Sequence, residues 1–268
     1  MSEETYVRTY AEGLSRIDRV VDDSGYAFTA LDVAEKGLAS LEPIKSYSHL
    51  LFVNVSKNQI SDASPLLDLS YLVCVDLSKN VLKSTPDFPQ PYLQSLDVSD
   101  NQITSLQGLS SASLTVLKIN GNGLTSLVGL QNLPSIKTLE AARNDIIDVE
   151  SLANDTAPRL ETLHLDENKI TTIMGIETLQ ELKTLSIQQN YIESFESIQQ
   201  LRLLTKLTSL NLTGNPVTQA KDYRESVILL APLLKHLDGE TLTDEDRFAA
   251  LELKRRREME AMEQAEEK

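Results

Sequence analysis

Apolar and polar positions follow one short phrase that returns along most of this chain. LLFVNVSKNQI (50–60), LVCVDLSKNVL (72–82), LQSLDVSDNQI (93–103) and LTVLKINGNGL (114–124) share the spacing L-x-x-L-x-L-x-x-N-x-L. IKTLEAARNDI (136–146), LETLHLDENKI (160–170), LKTLSIQQNYI (182–192) and LTSLNLTGNPV (207–217) repeat it. FTALDVAEKGL (28–38) is a degenerate first copy, with Lys36 where the asparagine belongs. The asparagines are Asn58, Asn80, Asn101, Asn122, Asn144, Asn168, Asn190 and Asn215, spaced by 22, 21, 21, 22, 24, 22 and 25 residues. A period this regular marks stacked structural repeats.

In each L-x-L the two apolar side chains point to one face of a short strand. Such a strand cannot hold itself, but stacked in parallel with its neighbours it gains a ladder and a continuous core. The asparagine follows where the chain must turn, and its amide can satisfy backbone groups that the turn leaves unpaired, predicting a ladder of buried asparagines. Further inward positions follow it, such as Ile103, Leu106 and Leu109, or Ile170, Ile173 and Ile176. The short period and the glycines Gly108, Gly129 and Gly175 leave room only for 3₁₀ segments or turns there. The expected fold is therefore an α/β solenoid, right-handed and curved, with its parallel sheet on the concave face and short segments on the convex side. SLANDTAP (151–158) reads as an inserted polar turn and SIQQLRLLTK (197–206) as a short convex helix.

A stacked core needs covers at both ends. Tyr6, Tyr10, Leu14, Ile17 and Val21 fall on one helical stripe, so residues 1–22 are expected to form a capping helix, with Ser2 as its cap. The solenoid and its terminal cap would occupy 23–242. A charged helix is expected over 243–268, with Thr243 as N-cap, Asp244, Glu245 and Asp246 in the first turn, and Phe248 and Leu251 packed on the cap.

Composition narrows the function. The chain has 268 residues, 25 Lys+Arg against 40 Asp+Glu, a net charge of −15, 41% apolar residues and no tryptophan. It is too apolar for disorder, and its charge argues against a generic nucleic-acid binder, which needs a cationic face. No segment reaches the ~20 apolar residues that span a bilayer. The opening MSEETYVRTYAEG carries no apolar leader, and the single cysteine, Cys74, points to a reducing compartment. His49, His164 and His236 lie more than seventy residues apart, so no metal site is expected. Cys74 beside Asp76 is a poor nucleophile. No phosphate-binding or dinucleotide motif is present, and neither catalytic residues nor a cofactor are expected.

Function is therefore expected to reside in a surface. Between the strand leucines stand Asp32, Asn54, Asp76, Asp97, Lys118, Glu140, His164, Ser186 and Asn211. One position before each middle leucine stand Ala30, Phe52, Cys74, Ser95, Val116, Thr138, Thr162, Thr184 and Ser209. The first column is acidic in its N-terminal half, and the second carries an apolar strip of Phe52, Cys74 and Val116. The concave face, centred on Phe52, Asp76, Asp97 and Glu140 and including Asn54, Val116, Lys118 and His164, is expected to bind a basic or amphipathic protein segment.

The repeats resemble the 22-residue, phosphatase-regulator type of leucine-rich repeat, and Tyr223-Arg224, Pro232, Leu234-Lys235, Leu237 and Asp238-Gly239 resemble the terminal cap of that class. EGLSRIDRVVDDSGYAFTALDV (12–33), LDVAEKGLASLEPIKSYSHLLFVNVSKNQISDASPL (31–66) and NPVTQAKDYRESVILLAPLLKHLDGETLTDEDRFAALELKRRRE (215–258) resemble the leucine-rich repeat proteins of radial spokes in motile cilia and sperm flagella. That resemblance implies a non-catalytic structural subunit of the axoneme, working in a large hetero-complex with other radial-spoke proteins. It implies a location in the cytoplasm, cytoskeleton and ciliary axoneme, and no nucleic-acid, membrane or small-molecule partner. The alternatives are a regulatory subunit that holds a phosphatase catalytic partner on its concave face, and a ribonucleoprotein scaffold that binds an RNA-recognition-motif protein.

Overall fold

The computed structural model describes residues 3–21, 23, 25–85, 87–153 and 156–266. The chain divides into two compact units, Met1–Asp145 and Ile146–Lys268. Both are built of short repeated coils, with a helix at the N-terminus of the first and another at the C-terminus of the second.

In the first unit, helix α1 (Glu3–Gly13) leads into strands β1 (Leu14–Arg19) and β2 (Tyr26–Asp32). Five three-residue strands follow: β3 (Phe52–Asn54), β4 (Cys74–Asp76), β5 (Ser95–Asp97), β6 (Val116–Lys118) and β7 (Thr138–Glu140). β2 to β7 run parallel, in a register that places Leu31, Val53, Val75, Leu96, Leu117 and Leu139 in one row. All six are buried, and so are the apolar residues two positions on, Val33, Val55, Leu77, Val98, Ile119 and Ala141. Glu42–Ser46, Ser64–Asp68 and Leu130–Asn132 return as 3₁₀ turns, the short geometry that a 22-residue coil can hold.

The ladder asparagines join consecutive coils. Asn80 Nδ2 donates to the carbonyls of Val55 and Leu77 at 3.1 and 2.9 Å, while its Oδ1 accepts the Ile60 N–H at 2.9 Å. Asn58, Asn101, Asn122 and Asn144 bond in the same way. The residue before each asparagine is left-handed: Lys57, Lys79, Asp100, Gly121 and Arg143 all have φ between 54° and 62°. Four of these five carry a Cβ, which disfavours that conformation by about 1–2 kcal/mol each; the asparagine's bonds compensate.

The N-terminal end departs from the expected 1–22 helix. Among the described residues of that segment only Glu3–Gly13 is helical, and the Ser2 cap lies outside the described residues. Tyr10 is fully buried and donates its hydroxyl to Ser40 O at 3.0 Å, while Tyr6 Oη accepts the Ala39 N–H at 3.0 Å. Ile17 and Val21, read as continuing that stripe, are exposed. The helix stops at Gly13, which lies so close to the next segment that a Cβ would sit 2.5 Å from Asp32 O. Leu14–Arg19 then pairs antiparallel with Tyr26–Asp32. The physical reason is the unpaired edge of β2: its free N–H and C=O groups are satisfied by a strand, which a continued helix cannot supply.

In the second unit, β8 (Thr162–His164), β9 (Thr184–Ser186), β10 (Ser209–Asn211) and β11 (His236–Leu237) run parallel, and β12 (Glu240–Thr241) turns back on β11. Leu163, Leu185, Leu210 and Leu237 form the buried row. The return segments are 3₁₀ turns at Glu150–Leu152, Ile176–Thr178, Glu196–Leu203 and Pro216–Gln219. Part of the polar turn expected at 151–158 falls on residues 154 and 155, outside the described residues. Asn168, Asn190 and Asn215 continue the ladder pattern, preceded by left-handed Glu167, Gln189 and Gly214.

Helix α2 (Tyr223–Leu230) closes this unit with buried Val227, Ile228 and Leu230. Asp238, immediately after β11, caps the preceding coil: Oδ1 accepts the Leu212 N–H at 2.7 Å and Oδ2 accepts the Tyr223 hydroxyl at 2.8 Å. Burial, together with the Asp238 charge, pushes the Tyr223 phenol well above its usual range.

Helix α3 (Asp244–Glu266) begins with a reciprocal cap. Thr243 Oγ1 accepts the Asp246 N–H at 3.2 Å and Asp246 Oδ2 accepts the Thr243 N–H at 2.8 Å. The Arg224 guanidinium grips both oxygens of Asp246 at 2.7 and 3.1 Å and, with the Thr243 N–H, holds that carboxyl far below the usual range. This clamp fixes the rotation of α3 together with Arg247 on the Pro232 and Leu234 carbonyls, Arg256 on Asp222 and Arg257 on Ser226, and Ala250 and Leu253 face inward. Phe248 and Leu251, expected to pack on the cap, are instead 59% and 54% exposed.

The strand face as a candidate binding surface

The outward residues of β2 to β7 form two aligned columns in the first unit. Ala30, Phe52, Cys74, Ser95, Val116 and Thr138 are Cα partners across the sheet, as are Asp32, Asn54, Asp76, Asp97, Lys118 and Glu140. Neighbouring members stand one strand apart, about 4.8 Å.

The acidic column is anchored by its own backbone. Oδ1 of Asp32, Asn54, Asp76 and Asp97 accepts the N–H two residues on, from Ala34, Ser56, Ser78 and Ser99, at 2.9–3.1 Å. Each side chain is thereby oriented before any partner arrives. Further along, the column neutralises itself. Lys118 Nζ lies 3.1 Å from Glu140 Oε1, and Asn120 Nδ2 donates to Glu140 Oε2 at 3.3 Å. Glu140, expected near the centre of the acidic patch, is therefore an ion-paired charge, and the acidity without an ion pair among the described residues rests on Asp32, Asp76 and Asp97.

Burial raises the Asp97 carboxyl above the ordinary aspartate range, and Asp76 adds to this; the Ser99 hydrogen bonds and Lys118 act in the opposite direction. A raised value means that the charged form is disfavoured in the folded protein. The penalty is present at neutral pH and is relieved as pH falls through the folded value. Asp97→Asn keeps an Oδ1 acceptor for Ser99. It is expected to have a higher urea midpoint than the parent at pH 7, with the gap closing by about pH 3, below the ordinary aspartate value of ~3.9. A gap of equal size at both pH values would show that the charge is not its source.

The apolar column carries a correction. Phe52 is half-buried, and the Arg16 guanidinium sits 5.0 Å from its ring centroid. The antiparallel strand that the sequence did not announce thus lays a cation over the expected anchor. Ser15, Ala30, Phe52, Asn54, Cys74 and Asp76 line a shallow hollow beside it.

In the second unit the corresponding columns are Thr162, Thr184, Ser209 and His236, and His164, Ser186 and Asn211. They carry no carboxylate, lysine or arginine. Ser186 is buried and donates to Asp166 Oδ1 at 2.5 Å, and Asp166 also accepts the Gln188 N–H at 2.7 Å. His164 belongs to this unit. Arg16 and Asp166 were missed by the repeat pattern because they stand outside its strand positions. Among the described residues no group of three or more His, Cys, Asp or Glu is placed to hold a metal ion, and no helix is long and apolar enough to cross a membrane.

Known proteins share this architecture. Internalin F of Listeria monocytogenes matches 80% of this chain and 62% of its own, with a TM-score of 0.65 at 24% identity. A leucine-rich repeat protein of Leptospira interrogans matches 78% of this chain and 54% of its own, with a TM-score of 0.64 at 22% identity. These likenesses are of fold. In sequence, the chain is similar to U2 small nuclear ribonucleoprotein A' of Eremothecium gossypii, 48% identical over 59 residues, or 22% of this chain and 25% of that protein. It is also similar to the Saccharomyces cerevisiae protein of the same name, 40% identical over 65 residues, 24% of this chain and 27% of that one. Each match spans about a quarter of the relative's length. A leucine-rich repeat family model covers residues 90–106 and another covers 133–266, half of the chain. The asparagine ladder and the three-residue parallel strands are the physical content of those matches, and the chain belongs to the leucine-rich repeat family.

Proposed function

We propose that this chain is a non-catalytic protein–protein interaction scaffold, serving as a structural subunit of the radial spoke in ciliary and flagellar axonemes. The observation that carries the scaffold reading is the backbone-anchored column of Asp32, Asp76 and Asp97. A pre-oriented row of carboxylates on a stiff sheet recognises a basic or amphipathic protein segment with little ordering cost. The axonemal assignment, and with it the location in the cytoskeleton of the cilium, is supported by the resemblance of 31–66 and 215–258 to radial-spoke proteins.

Retention in axonemes tests both. The chain is expected to stay with radial-spoke proteins through high-salt extraction. Asp76→Lys combined with Asp97→Lys is expected to weaken cross-links to its neighbours by about tenfold, or roughly 1.4 kcal/mol. Unchanged cross-links would remove the strand face from the reading. Release into the soluble fraction with a phosphatase catalytic subunit would replace the axonemal role by a regulatory one.

A second reading has one observation of its own, the similarity to U2 small nuclear ribonucleoprotein A'. On that reading the same face holds a protein of a nuclear ribonucleoprotein. Co-sedimentation with small nuclear RNA from nuclear extract would favour it over the axoneme.

A further inference from the structure

A groove of about 560 Å³ runs between α2, α3 and the 3₁₀ segment Glu196–Leu203 in the second unit. Its apolar wall includes Leu229, Pro232 and Leu251. Leu251 is the residue that the Arg224–Asp246 clamp turns outward, 54% exposed. Three cations rim the groove, Arg202, Arg247 and Lys254, and no carboxylate lines it. This is a local inversion in a chain whose net charge is −15.

The cations are differently placed. Arg247 donates to the carbonyls of Pro232 and Leu234 at 2.9 and 2.6 Å, which fixes it at the end of α2. Its guanidinium has no carboxylate partner among the described residues. Arg202 has none either, and Lys254 reaches its nearest carboxylate, Glu258, only at 3.9 Å. Positive charge at Arg202 and Arg247, without a carboxylate partner among the described residues, and the loosely paired Lys254 stand beside an apolar strip and match an acidic amphipathic segment. Two of the groove's walls are helices, and a third helix laid along them packs by ridges into grooves at about 8–10 Å between axes.

We propose that this groove docks an acidic amphipathic helix of a partner protein. It is a second surface, separate from the strand face and independent of the function proposed for that face. A second copy of this chain and an anionic membrane are the competing occupants, and the measurements below separate them from the acidic helix.

The test is fluorescence anisotropy on the full chain with two labelled peptides of about 15 residues, ~22 Å when helical. Both carry Leu at i, i+4, i+7 and i+11; one has Glu on the remaining face and the other Lys. The Glu peptide is expected to bind at least about tenfold more tightly than the Lys peptide. Leu251→Glu, and separately Arg202→Glu with Lys254→Glu, are each expected to weaken the Glu peptide by about tenfold. All three sites are exposed, so thermal melts should match the parent. Asp76→Lys with Asp97→Lys should leave this binding unchanged, which separates the groove from the strand face. Equal affinity for the two peptides, or no loss in Leu251→Glu, would overturn the proposal. So would a dimer in sedimentation that Leu251→Glu disperses, or retention on phosphatidylserine vesicles that the same change abolishes.

Discussion

Asn190→Ala is expected to lower the stability of the protein by about 3 kcal/mol, the loss associated with a buried hydrogen-bonding group left without its partner plus the bonds removed with it. Asn190 is 4% exposed. Its Oδ1 accepts the Ile170 N–H at 2.9 Å, and its Nδ2 donates to the carbonyls of Leu165, Ile187 and Gln188 at 2.9–3.1 Å. The deletion does not harm these groups equally. Leu165 O keeps a bond from Asn168 Nδ2 at 2.9 Å, and Ile187 O keeps one from Asn215 Nδ2 at 2.8 Å. The Ile170 N–H has no such reserve and is stranded in the core. The left-handed Gln189, φ 50°, also loses the contacts that compensate its strain. Asn190→Asp should be at least as damaging, because it restores an acceptor for Ile170 but turns an anion toward three carbonyls. Asn211→Ala is the control: that side chain, half-exposed on the strand face, bonds the Thr213 N–H at 3.0 Å and should cost under about 1 kcal/mol. Urea unfolding followed by circular dichroism measures all three. A loss at Asn190 no larger than at Asn211 would mean that the ladder does not hold the coils together.

Gly129→Ala is the second large effect, with a loss of about 4 kcal/mol expected from a disfavoured backbone conformation and a steric overlap acting together. Gly129 has φ +119°, and a Cβ built there would lie 2.6 Å from Leu106 C and 2.7 Å from Leu106 O. Both are backbone atoms of the preceding coil, so relief requires the coils to separate. Gly37 isolates the two contributions. It has φ +67° and no atom within 4 Å of its would-be Cβ, so Gly37→Ala should cost only the conformational part, about 1–2 kcal/mol. Equal losses at the two sites would show that close approach of coils contributes nothing. Gly175 makes the same approach in the second unit, 2.6 Å from Val149 O, and should behave like Gly129.

Much of the fold is legible in the chain because each repeat states the same instruction again. Leu96, Val98 and Ile103 are buried where the phrase places them, and the asparagines bond where the turn needs them. The left-handed residues before the asparagines were not legible. Lys57, Asp100, Arg143, Glu167 and Gln189 share no chemistry, since the conformation is imposed by the neighbouring amide and not preferred by the residue itself. In the candidate site, the alignment of Asp32, Asp76 and Asp97 followed from the period. The cation over Phe52 did not, because Arg16 reaches it from a strand outside the repeat.

The sequence by itself determined the period, the inward residues and the asparagine ladder, because these depend on contacts between equivalent positions of adjacent coils and are written eight times over. Only the tertiary structure decided the ends: that Leu14–Arg19 pairs as a strand with the edge of β2, and that α3 buries Ala250 and Leu253 while turning Phe248 and Leu251 outward. Each of those outcomes depends on non-local contacts made once, an unpaired strand edge in the first case and, in the second, the Arg224–Asp246 clamp together with Arg247 on the Pro232 and Leu234 carbonyls and Arg256 on Asp222. A contact made once leaves no periodicity in the chain from which it can be read.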